Sequence, residues 1–122
     1  AIIVVNLDVS SLRDADRVVG LLMKKGINTI NMIVNKVNLD DIENARSLTI
    51  DDAKEILSLP LLGIVYESHD MIEANNRGVP IFLNNQHLLH NCFTNISKRL
   101  LGQQVPYAKY KKKSLIRRFF YS

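Results

Sequence analysis

A chain of 122 residues with 47% apolar and 23% charged residues is one domain or a piece of one, long enough to bury a sizeable core. No run of about 18 apolar residues occurs, which excludes a spanning helix, and a single cysteine excludes an internal disulfide and suits a reducing compartment. The net charge of +4 is unevenly divided: residues 1–73 hold all twelve acids against seven Lys and Arg, while residues 74–122 hold nine basic residues and no acid. Such asymmetry points to a basic interaction surface in the second part.

The opening AIIVV is a continuous apolar run, expected as a fully buried strand. It has no basic n-region, so it does not read as a signal peptide. It also has no initiator Met, and the expectation is that strands lie upstream. After the loop NLDVSS, Ser11 and Asp14 form an S-x-x-D capping pattern. Leu12, Ala15, Val18, Val19 and Leu22 follow at helical spacing, predicting a helix over 11–25 that stops at Gly26. A second buried strand is predicted at 32–34, and residues 35–48 read as a polar loop.

Thr49 and Asp52 make another capping pair before a helix closed by Pro60. LLGIV, 61–65, reads as a third strand. A short helix over 68–77 ends at Gly78, and VPIFLN reads as extended. Leu88, Leu89, Cys92, Phe93, Ile96 and Leu100 mark a long amphipathic helix ending at Gly102, with Cys92 on its apolar stripe as a core residue. Alternating apolar strands and helices predict an α/β fold, a partial parallel sheet flanked by helices. The expected organisation is a domain over 1–102, a linker over 103–110 and a terminal amphipathic helix over 111–122.

That terminal stretch has its own chemistry. On a helix, Leu115, Ile116, Phe119 and Phe120 fall within an arc of about 140°, with Arg117, Arg118 and Ser114 on the other side. Lys111, Lys112 and Lys113 fill the first turn, where long stems can snorkel. A basic amphipathic helix of this kind suits an anionic membrane surface. Burial contributes about 1.5–3 kcal/mol per large side chain and each cation about 1 kcal/mol, against about 1 kcal/mol per residue for ordering the backbone. One copy is therefore expected to bind marginally and two copies firmly. Nucleic acid is the competing partner, through Tyr107, Tyr110, Phe119 and Tyr121 as stacking platforms. It is the less favoured one, because stacking does not require one apolar face. A solvated tail is the third reading.

Elsewhere the chemistry is sparse. His87 and His90 sit three apart, but zinc needs further ligands. No GxxxxGK[ST] or GxGxxG motif and no Ser–His–Asp spacing occurs. Three strand ends in succession carry polar residues: Arg13, Asp14, Asp16 and Arg17 after the first strand, Asn35 and Lys36 after the second, YESHD after the third. Open α/β sheets bind ligands and partners at that edge.

Taken in order, NLDVSSLRDADRVVGLL, MIVNKV, LTIDDAKEILSLPLLGIV, NNRGVPIFLN, SKRLLGQQVPY and the basic end resemble successive segments of the ParA/MinD family of P-loop NTPases. The resemblance covers essentially the whole chain. It implies that Asn35 contacts adenine, with Lys36, Tyr66 and Glu67 beside it, and that Ser11, Asp14 and Asp16 meet partner proteins. It makes residues 111–122 a membrane-targeting sequence. Where the family usually has Pro-Glu-Asp after the third strand, this chain has Tyr66-Glu67-Ser68.

The family's phosphate loop, with its lysines and Mg²⁺ ligands, lies in a part not matched here. The resemblance therefore implies ATP and Mg²⁺ in the full-length protein and none bound by this chain alone. It further implies an ATP-dependent homodimer of division-site placement, held peripherally on the inner face of the cell membrane or in a plastid. Its expected partners are a MinC-like division inhibitor and a MinE- or DivIVA-linked regulator. A ParA-like partitioning protein and a non-catalytic anchoring module are the alternatives.

Overall fold

The computed structural model describes residues 1–108, so the whole of the expected membrane-targeting helix lies outside the described residues. Three parallel strands, β1 (Ile2–Val5), β2 (Asn31–Val37) and β3 (Leu61–Tyr66), lie in that spatial order. Val5 pairs with Val34, and Val34 with Ile64. The helices are α1 (Val9–Lys24), α2 (Leu39–Glu43), α3 (Ile50–Leu57), α4 (His69–Arg77) and α5 (Leu88–Leu100).

Side chains alternate across the strands, except that β3 carries an extra residue where the register shifts between Met32 and Ile33, and each face has its own core. On one face Val5, Met32 and Val34 pack with Leu12, Ala15 and Val19 of α1 and Ala53 and Leu57 of α3. On the other, Leu62 and Val65 pack with Leu89, Cys92 and Ile96 of α5. Gly63 lets α5 approach β3, since a methyl there would meet the Ile96 side chain. Cys92 is buried, and burial pushes its thiol up from the usual range.

The Thr49–Asp52 capping box forms as the sequence predicts. Thr49 N–H donates to Asp52 Oδ2 at 2.8 Å, and Asp52 N–H donates to Thr49 Oγ1 at 3.0 Å. α4 ends at Gly78, whose φ of +67° is the left-handed stop expected of it.

Several local expectations are corrected. β1 is not fully buried: among the described residues it is an edge strand, and Ile2 and Val4 are 43% and 60% exposed because no described element covers that side of it. α1 is capped by Asp8, not Ser11. The Asp8 carboxylate accepts from Ser11 N–H at 2.7 Å, and the Ser11 hydroxyl turns back to accept from Asn6 N–H. β2 runs on to Val37, and the supposed loop after it contains α2, capped by Asn38. VPIFLN is not extended throughout. It makes a 3-10 turn, Ile81–Leu83, which buries Ile81 against α5.

Candidate functional site

At the C-terminal ends of the strands an open cleft of ≈ 600 Å³ lies on the α5 side of the sheet. Val4, Ile33, Phe93 and Ile96 provide an apolar floor, and Met71, Ile72 and Asn75 of α4 form a wall. Asn35, Lys36, Tyr66 and Glu67 all line it, so the structure gathers the four residues singled out for adenine.

Their placement follows from irregular strand ends. Register shifts between Val34 and Val37, where Lys36 takes a left-handed φ of +53°. A side chain in that conformation costs about 1–2 kcal/mol, and such strain concentrates at functional sites. Asn35 is half-buried and Lys36 exposed. Glu67 is oriented by Asn38, whose amide nitrogen donates to its carboxylate at 3.0 Å, while Glu67 N–H donates to Val37 carbonyl. Asn38 was not legible as a site residue; its only sequence signal is a capping position before Asp40 and Asp41. Tyr66 is half-buried, and its hydroxyl donates to Ala108 carbonyl at 2.9 Å.

An apolar floor, a half-buried amide and an aromatic ring suit a planar heterocycle. The same residues do not suit the rest of a nucleotide. The sequence has no glycine-rich phosphate loop, and among the described residues no cluster of His, Cys, Asp or Glu could hold a metal ion. The described lining of the cleft thus suits a planar base.

Asp14 and Asp16 are exposed on α1, across the sheet from the cleft, and stand about 200° apart around the helix. Ser11 is half-buried and engaged with Asn6. His87 and His90 do not converge. His87 Nδ1 accepts from Leu89 N–H at the start of α5, and its Nε2 bonds Asp70 Oδ2 at 2.8 Å. An accepting Nδ1 requires the proton on Nε2, so both ring nitrogens are occupied and this Asp–His pair has no free base. His90 instead bonds Phe82 carbonyl and stacks on the Phe82 ring.

No family model matches the chain. Individual proteins do. The chain is 38% identical over 108 residues to a putative septum site-determining protein MinD of Emiliania huxleyi, covering 88% of the chain and 40% of that protein. It is 36% identical over 107 residues to MinD of Bacillus subtilis, covering 87% and 40%. A chloroplastic homologue from Arabidopsis thaliana is 45% identical over 84 residues, 69% of the chain and 26% of that protein. The chain therefore spans about two fifths, or less, of the length of these relatives.

Among solved structures, the MinC:MinD cell division protein complex of Aquifex aeolicus superposes with a TM-score of 0.87 at 34% identity, over 91% of this chain and 46% of that one. Pyrococcus furiosus MinD shares the fold at a TM-score of 0.73 and 22% identity, over 84% of this chain and 42% of that one. The order of the strands, the helices on both faces and these similarities agree: the chain is a MinD-like segment of the ParA/MinD family.

Proposed function

We propose that this chain provides the adenine wall, a partner-facing helix and the membrane anchor of an ATPase that places the division septum. The observation that carries this reading is the convergence of Asn35, Lys36, Tyr66 and Glu67 on one apolar-floored cleft in a MinD-like segment. Ile33 and Val4 would exclude water from one face of the base, the Asn35 amide would read its edge, and the Tyr66 ring would border it. Bound ATP would supply the transferable phosphoryl group, with its Mg²⁺ and phosphate ligands coming from outside these 122 residues.

Partner binding falls to α1, where Asp14 and Asp16 offer exposed carboxylates. The Aquifex relative is in a complex with MinC, which supports a division inhibitor of that kind as partner. Among the described residues no helix is long and apolar enough to cross a membrane. Attachment would rest on Leu115, Ile116, Phe119 and Phe120 inserting, with Lys111, Lys112, Lys113, Arg117 and Arg118 at anionic headgroups. ATP-dependent dimerisation would double the anchors and make weak binding firm. The site of action would be the inner face of a cell membrane or its plastid counterpart, under a MinE- or DivIVA-linked regulator.

One observation favours a second, narrower reading. The chain has no phosphate loop, so by itself it would act as an interaction and anchoring module without catalysis.

The test is co-sedimentation of the full chain with vesicles, alone and dimerised through a fused coiled coil. Binding that requires anionic lipid, rises with dimerisation and disappears in Phe119→Glu supports the anchor. Binding indifferent to Phe119→Glu overturns it, and a DNA mobility shift without vesicle binding transfers the assignment to the partitioning relatives.

A further inference from the structure

The segment after α5 is docked to the domain. Gly102, with φ +84°, reverses the chain, and Gln103 N–H returns to Lys98 carbonyl. Arg99 then acts as a clamp. One guanidinium nitrogen donates to Leu62 carbonyl at 2.9 Å and the other to Val105 carbonyl at 3.1 Å, with the group 3.9 Å above the Tyr107 ring. Tyr107 hydroxyl donates to Leu61 carbonyl at 2.8 Å, and the Asn95 amide donates to Pro106 carbonyl. Leu61 and Leu62 belong to β3, which has no strand on its outer side among the described residues. Tyr107 of the segment and Arg99 of α5 therefore each occupy one backbone acceptor of an edge strand. The segment's far end, Ala108, is held by the hydroxyl of Tyr66, a residue that lines the cleft.

We propose that residues 103–108 form a strap that fixes the Tyr66 side chain at the cleft, so that docking of the strap and occupation of the cleft by a planar heterocycle reinforce each other. The physical reason is shared ordering. A docked strap restrains the phenol, and a heterocycle against that ring meets a wall already in place. A seated heterocycle in turn restrains the phenol and strengthens its hold on Ala108. Linkage makes the two effects equal. Arg99 and Tyr107 act here as positioning residues, since neither lines the cleft. This inference rests on the base-binding reading of the cleft.

The test uses the full chain with adenosine as probe. It compares the parent with Arg99→Gln and Tyr107→Phe, reading affinity by calorimetry and the backbone order of residues 103–108 by NMR relaxation. Tyr107→Phe removes one hydroxyl and leaves every core contact in place, and melting curves check both folds. The proposal expects adenosine to raise the order of the strap, and both variants to lower that order and weaken adenosine by about fivefold or more. A less ordered strap with adenosine affinity within about twofold of the parent overturns the coupling and leaves base binding standing. Strap order in the unliganded parent as low as in an unstructured peptide overturns the strap itself. No binding of adenosine to the parent overturns the base-binding reading and the coupling with it.

Discussion

The side chain of Ile96 lies against the Cα of Gly63: a methyl added there would meet Ile96 Cγ1 and come within 2.8 Å of Cδ1. Gly63 is paired with Ile33 in the middle of the sheet, and Ile96 is in the floor of the cleft. One close approach thus sets both the packing of α5 on β3 and the depth of the site.

Gly63→Ala is expected to destabilise the chain by about 1–3 kcal/mol, the usual cost of overpacking. Ile96→Ala, which removes both Cγ1 and Cδ1, should cost less in the Gly63→Ala background than alone, because the clash is between these two side chains. Denaturant melts of the two single variants and the double variant measure the coupling. Strict additivity would place the strain elsewhere.

The capping box of α3 should be sensitive to acid. The backbone N–H of Thr49, and then its hydroxyl, hold the Asp52 carboxyl below the usual carboxylate range. A lowered folded value means that the stabilisation is present above the ordinary carboxylate pKa and is lost as pH falls through the lowered one. The stability gap between parent and Asp52→Asn should therefore close on acidification. Thr49→Ala should cost about 1 kcal/mol near neutral pH. A gap that persists at the lowest pH at which the parent stays folded would show that the charge of Asp52 is not what matters.

Cys92 should be unreactive in the folded chain. Burial raises its thiol pKa, with partial relief from a backbone hydrogen bond to Tyr66. Modification by a thiol reagent should follow global unfolding and accelerate with denaturant. The folded value is raised, so stability should hold below the unfolded thiol pKa of about 8.5 and decline as pH climbs from there through the folded value. Cys92→Ala should flatten that alkaline decline. Rapid labelling without denaturant would contradict the buried position.

Lys36 should carry its backbone strain for the sake of the cleft. Lys36→Gly accepts φ +53° freely and is expected to raise stability by up to about 1 kcal/mol while weakening adenosine binding. Lys36→Ala keeps the strain and loses the side chain, so it should weaken binding with no such gain. Equal stability for the two variants would remove the strain argument.

What was legible in the sequence was whatever a few adjacent residues decide. Apolar runs located the three strands, helical spacing located α1, α3 and α5, and Thr49–Asp52 and Gly78 marked helix ends through groups three residues apart or closer. The position of Asn35, Lys36, Tyr66 and Glu67 at one sheet edge also followed, because parallel strands present their C-terminal ends together.

The tertiary structure decided the rest. Asp8 prevailed over Ser11 as a cap because the Ser11 hydroxyl was already committed to Asn6 N–H, a choice that spacing alone leaves open. Val4 is exposed although its pentapeptide is as apolar as any buried strand, because burial depends on which helix crosses that face. Asn38 reaches Glu67 across 29 positions of sequence, and Tyr66 reaches Ala108 across 42. Contacts between residues so far apart leave no local periodicity to read. They exist only once packing has brought β2, β3 and the segment after α5 together.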